Sequence, residues 1–233
     1  MKPLRFSKDT FTYFEQARQN ENSRAWFDSH KQEYADCVLV PFSHLIVQMK
    51  ERLSVLLPGF EFSPKKIVKP VRRQVEGLEE PVVRSKTTAF FSEAATSIFE
   101  SNPGIYISLG ASVEDNVYGI GLYDVSNRQM KMLRAAYLSD TAAVDACVKS
   151  RPVMDRWGGL SGERFQRFPK SYEETGLGAE YLWHKQAFLS KTFTRASATK
   201  DAFPETLIED LEASIPFLQW LRSTVGIYRK EAN

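Results

Sequence analysis

Cysteine is scarce in this 233-residue chain, and the two present, Cys37 and Cys147, stand far apart. That excludes a disulfide-built scaffold and offers no metal-ligand spacing. Both are expected as buried free thiols, the usual state of an unpaired cysteine. Histidine is also sparse: His30, His44 and His184. Fourteen positions on a continuous helix separate the first two by about 21 Å, so they cannot share an ion, and no metal site is expected. No charge of one sign dominates, since 31 Lys+Arg against 29 Asp+Glu leave +2. Nucleic-acid binding through net charge alone is therefore not implied. No apolar run approaches the ~18 residues of a membrane span. No apolar stretch follows the basic Met1 to Arg5 segment, so a cytoplasmic protein with no membrane association is expected. GxSxG, HExxH, P-loop and CxxC motifs are lacking, and no cofactor is implied. Gly119-Ile120-Gly121 lacks the third glycine of a dinucleotide fingerprint.

What is there is a globular composition. Apolar residues at 42 % and aromatics at 12 % are too many for a disordered chain. Ser7 caps an expected helix in which Phe11, Phe14 and Ala17 recur at helical spacing. Ser23 offers a second cap. The apolar residues from Trp26 to Leu53 then predict one long helix, or two with a bend at Pro41, ended by Leu57-Pro58-Gly59. Phe60-Glu61-Phe62 reads as extended, and residues 82–91 as a strand. The runs 104–110 and 118–123, joined by a polar turn, read as an antiparallel hairpin. Gly119 and Gly121 fall on one strand face, which makes room for a closely packed neighbour in preference to a ligand. Helices are expected over residues 127–138, over 141–151 with Pro152 as its stop, and over 206–225 with Pro216 as a bend or second start. No repeat or linker divides the chain. The expected architecture is one α+β domain over residues 1–233, a mostly antiparallel central sheet flanked by N- and C-terminal helices.

Two segments carry candidate chemistry. In residues 20–34 a helix N-terminus brings Arg24, His30, Lys31 and Tyr34 within a few turns, a pattern able to line an anion-accepting groove; the plainer reading is a capped helix with a polar face. In residues 151–170, Arg151, Arg156, Arg164, Arg167 and Lys170 interleave with Trp157, Phe165 and Phe168. Such a mixture serves single-stranded nucleic acid or a protein interface. The acids Asp155, Glu163, Glu173 and Glu174 nearby favour the interface.

The first segment resembles the N-terminal signature of the DUF2461 family, approximately Asn-Asn-x-Arg-x-Trp-Phe, then His-Lys, a Tyr and a Pro. This chain supplies Asn20, Asn22, Arg24, Trp26, Phe27, His30, Lys31, Tyr34 and Pro41. Further matches follow in order: Gly104 to Ile107, Gly119 to Tyr123, Met132-Leu133-Arg134, Phe168 to Tyr172 and Leu182 to Phe188. Typical members also carry a basic signature near Arg-Asp-x-Arg-Phe-Ser-x-Asp-Lys-x-Pro-Tyr-Lys. At that place Arg73, Arg84 and Lys86 stand as remnants, beside an acidic loop with Glu76, Glu79 and Glu80. The resemblance therefore implies a kept scaffold with an altered anion site. The expected function is a non-catalytic protein-binding module, immunity-like in that it neutralises a toxin or enzyme partner. The alternative is an enzyme for a phosphorylated or other anionic substrate, held by Arg24, His30, Lys31 and Tyr34 and clamped by Arg73, Arg84 or Lys86. A nucleic-acid-binding module is the weaker third reading.

Overall fold

α1 (Lys8–Gln19) starts where Ser7 and Thr10 cap one another, the Thr10 hydroxyl accepting from the Ser7 amide at 3.1 Å. Its inward face is Phe11, Tyr13, Phe14 and Ala17. The computed structural model describes residues 4–20, 23–69, 72–73, 82–93 and 101–227. The acidic loop with Glu76, Glu79 and Glu80 lies outside them.

The Trp26-to-Leu53 segment is broken earlier than the proline suggests. α2 (Arg24–Ser29) ends at His30, whose backbone leaves helical geometry, and α3 (Lys31–Tyr34) starts again directly after it. α3 continues through a π turn, Ala35–Leu39, into α4 (Val40–Leu56). Pro41 thus sits in the first turn of α4 rather than at a bend between two helices. The reason is local. Proline has no N–H, so it cannot donate to the carbonyl four residues back, which is that of Cys37. The helix widens by one residue there, and the buried Thr10 hydroxyl donates to the Cys37 carbonyl at 2.6 Å. A proline in one helix is thereby compensated by a side chain of another.

α5 (Pro64–Ile67) is a single turn, and residues 60–62 form no strand; their one tie to the sheet is the Glu61 amide on the Ser92 carbonyl. β1 (Arg72–Arg73) and β2 (Val82–Val83) form a two-stranded ribbon. The strand expected over 82–91 is interrupted at Arg84 and Ser85, after which β3 (Lys86–Phe91) begins. β4 (Gly104–Gly110) and β5 (Val117–Leu122) form the expected hairpin. α6 (Asn127–Ser139) and α7 (Thr141–Val148) follow. Pro152 opens α8 (Arg151–Trp157) instead of closing its predecessor, because a proline in a first turn removes no helical hydrogen bond. After a 3₁₀ turn, Ala179–Trp183, come β6 (Ala187–Thr192), α9 (Arg195–Ala198), α10 (Phe203–Ala213) and α11 (Ile215–Val225). Pro216 marks the second start.

The main sheet has the order β3-β4-β5-β6 and every pair is antiparallel, so the molecule is α+β with helices flanking the sheet. Alternation sends Ala89 and Phe91, Ile105 and Ile107, Ile120 and Leu122, and Ala187 and Leu189 to one face. α1, α8, α10 and α11 pack on the strands, and one hydrophobic cluster runs from Phe6 to Val225. Gly119 and Gly121 take up packing, as expected, but the neighbour is β6 and not a helix. The Phe188 ring occupies the space over Gly119, and Gly121, at φ 138°, lies against the Ala187 carbonyl.

Replacing Thr10 by the isosteric valine leaves the Cys37 carbonyl buried without a donor and removes half of the α1 cap. A loss of about 1–3 kcal/mol is expected, read as a lower urea midpoint at unchanged slope.

Candidate functional site

Three neighbourhoods contain the candidate residues. The first is the helix pair α2–α3. The Ser23 hydroxyl caps α2 by accepting from the Trp26 amide at 3.1 Å. Asp28 then gathers two of the candidate cations, Arg24 at 3.5 Å and Lys31 at 2.7 Å. The His30 ring stacks on Trp26 with centroids 4.4 Å apart, and its Nδ1 lies 2.7 Å from the Trp26 carbonyl, a contact that requires the proton on Nδ1. Tyr34 turns inward between Tyr13 and Phe27. Burial pushes its hydroxyl pKa up, and Thr87 and Arg84 beside it only partly offset that, so Tyr34 is protonated at neutral pH. Cys37, in the adjoining π turn, is pushed by burial up to about 12 and is an inert thiol. Lys86 is held apart on Asp115 at 3.0 Å. Arg73 has its backbone in β1, and its side chain lies outside the described residues. Tyr34 and Arg84 are therefore neighbours, whereas Arg24 and Lys31 share a carboxylate and Lys86 has its own.

The second neighbourhood centres on Asp210, only 1 % exposed. One carboxylate oxygen accepts from Tyr118 at 2.6 Å and from Lys191 at 2.9 Å; the other accepts from Arg156 at 2.8 Å. Trp157 donates its indole N–H to the Asp210 carbonyl at 3.1 Å. Arg156 and Trp157, candidates for a partner surface, thus point into the fold. Burial first, then the Asp210 carboxylate, raises the Tyr118 pKa well out of reach of titration. Four elements, β5, β6, α8 and α10, meet on this one carboxylate. Sequence reading missed Asp210, Tyr118 and Lys191. A signal existed: Asp210 falls between Leu207 and Leu211 on the apolar stripe of α10, where a carboxylate survives only if paired.

The third neighbourhood is a layer of arginine and aromatic rings outside α6. Arg134 lies between the rings of Phe165 and Tyr172, 5.2 and 5.5 Å from their centroids. Arg164 covers Trp183 at 5.5 Å, and Phe168 meets the same indole edge-on at 5.3 Å. A bridge between Arg164 and His184 fixes this loop to the chain leading into β6. Arg167 is exposed close by, while Arg151 stands away from the layer on its own partner, Asp155. His184 is half-buried behind Arg164. Burial and then that guanidinium push its pKa below 6.5, against weaker opposite pulls from the Ser161 backbone and Glu180.

Among the described residues no cluster of His, Cys, Asp and Glu is able to hold a metal, and no helix is long and apolar enough to cross a membrane. A model of the DUF2461 family, described as "Conserved hypothetical protein", matches residues 9–220, from α1 into α11. No curated protein and no solved structure matches the chain.

Two outcomes follow from these environments. Asp210→Ala leaves Arg156 and Lys191 facing a void and Tyr118 without its acceptor; the expected loss is about 3–5 kcal/mol in chemical denaturation. His184 is neutral when folded and takes a proton on unfolding below 6.5. Its contribution is present above that value and is lost as the pH falls toward the lower folded value. The urea midpoint is therefore expected to drop between about pH 7 and about pH 5.5, and His184→Gln to flatten that drop.

Proposed function

The chain belongs to the DUF2461 family, and from that premise we propose that it is a non-catalytic protein-binding module whose docking face is the arginine-aromatic layer over residues 164–183. One observation carries the reading. Most cations elsewhere in the described structure have a carboxylate partner, including Arg24, Lys31, Lys86, Arg156 and Lys191. Among the described residues Arg164, Arg167 and Lys170 have none, and they sit exposed beside half-buried Phe165, Phe168, Tyr172 and Trp183. Lys131, one turn before Arg134 on the same side of α6, adds a further unpaired charge. Arginine and tryptophan held rigidly by one another, partly exposed and unneutralised, are the residue types that dominate interface energetics. The partner face is therefore acidic, with a hollow that receives the Trp183–Phe168 edge.

Protein is favoured over single-stranded nucleic acid because base stacking needs free ring faces. Here Arg164 covers a face of Trp183, and Arg134 covers faces of both Phe165 and Tyr172. The reading of the α2–α3 region as an anion clamp loses support from the same ion-pair pattern, since Arg24 and Lys31 already share Asp28.

The test is capture from cell extract with the wild-type chain and with Arg164→Glu/Arg167→Glu/Lys170→Glu. These side chains hold no ion pair, so folding is expected to be unchanged. A stoichiometric protein partner, weakened by salt and lost with the triple variant, is the expected result. Equal capture by both proteins, or no partner at all, overturns the reading. So does a single-stranded oligonucleotide retarded by wild type and not by the variant, which assigns the face to nucleic acid. The finer expectation, a toxin or enzyme neutralised by binding, is read as loss of the captured protein's activity in the complex.

A further inference from the structure

Where β6 leaves the sheet and the chain turns through α9 into α10, a cleft of about 420 Å³ opens beside the Asp210 cluster. Its size falls within the range of small-molecule sites. Lys191 and Lys200 line it together with Thr192. Its floor is a row of rings: Tyr118 to Phe193 at 6.0 Å and Phe193 to Phe203 at 4.9 Å between centroids.

The charges around the cleft can be summed. Asp210 is saturated by Tyr118, Lys191 and Arg156, and Glu209 pairs with the other side of Arg156. Glu205 pairs with Arg52, and Asp201 with Arg5. Every acid near the cleft is thus neutralised within the protein. Lys200 has no carboxylate partner among the described residues, which leaves one uncompensated positive charge at the mouth. Lys191 directs one ammonium hydrogen to Asp210 and has two more to offer. Because Asp210 is buried and held from four elements, Lys191 is positioned before any ligand arrives. The other hydroxyls offer less: Thr194 and Ser197 bond one another and Thr206 bonds the Ala202 carbonyl, which leaves Thr192 as the free donor.

From this arrangement we propose that the cleft binds a small carboxylate with a flat apolar body, its carboxylate between Lys191 and Lys200 and its body against Phe193 and Phe203. The apolar floor asks for more than an inorganic anion. The single net charge suits a monoanion, and a phosphate dianion lacks the guanidinium fork that usually holds it, since Arg156 is committed to Asp210 and Glu209. None of these residues belongs to the arginine-aromatic layer, so the proposal stands or falls separately from the docking face.

The probe is benzoate, titrated into the ¹⁵N-labelled full chain, with benzyl alcohol as its neutral counterpart and inorganic phosphate as an anion without a body. Saturable benzoate shifts confined to the amides of residues 191–206 are expected. Benzyl alcohol and phosphate are each expected to bind at least about tenfold more weakly. Lys200→Ala removes a side chain that holds nothing else, so its thermal midpoint should match wild type while benzoate affinity falls about tenfold or more. Thr192→Val gives a second, milder loss without touching Asp210. The proposal is overturned by absence of saturable shifts, by unchanged affinity in Lys200→Ala, or by equal binding of either control compound.

Discussion

A single carboxylate, that of Asp210, decides how the C-terminal half of this protein is joined. An ionised acid taken out of water costs several kcal/mol unless its partners are well placed. Here the partners come from β5, β6 and α8, while the acid itself rides on α10. None of these contacts is local in sequence, so none forms until the helices lie on the sheet. The cluster therefore specifies the docking of α8 and α10 more sharply than apolar burial does, because a slipped packing leaves charges unpaired. It also exports a consequence to the surface: Lys191 is fixed at the wall of a cleft, and Arg156 is withdrawn from the outside.

The N-terminal region shows the opposite arrangement. Its signature residues are mostly settled by local pairing. Asp28 reaches Arg24 one turn back and Lys31 one turn ahead, and His30 folds onto Trp26. Such exposed pairs contribute little energy each. Their effect is electrostatic: the charges that a helix N-terminus would otherwise present to an anion are balanced. What remains distinctive there is interior, the stack of Trp26, Tyr13 and Tyr34 that seats α1 and α3 against β3.

Much of the fold was readable because it depends on short-range rules. Ser7 and Ser23 announce helix starts, the polar turn between Gly110 and Val117 announces a hairpin, and the spacing of Leu207, Leu211 and Leu218 announces closing helices. The misreadings share a cause. Pro41 and Pro152 were weighed as breakers, yet whether a proline ends a helix depends on who needs the missing N–H. At Pro152 nothing does, and at Pro41 the orphaned carbonyl is met by Thr10, 27 residues away from Cys37. The candidate residues divide in the same way. Arg164, Phe165 and Phe168 were legible as a group because they are close in sequence. Arg156 and Trp157, taken with them, belong to a centre assembled from residues 118, 191 and 210, which only the sheet brings together.

The π turn at Ala35–Leu39 has one more effect. An extra residue advances the azimuth of every later side chain by about 100°, one residue's share of a helical turn. The stripe entering the turn and the stripe leaving it thus lie out of phase. Upstream, α3 and the turn itself lean on α1; downstream, α4 leans on α10. One continuous rod thereby keeps two different neighbours on two different bearings, with no loop needed to swivel it.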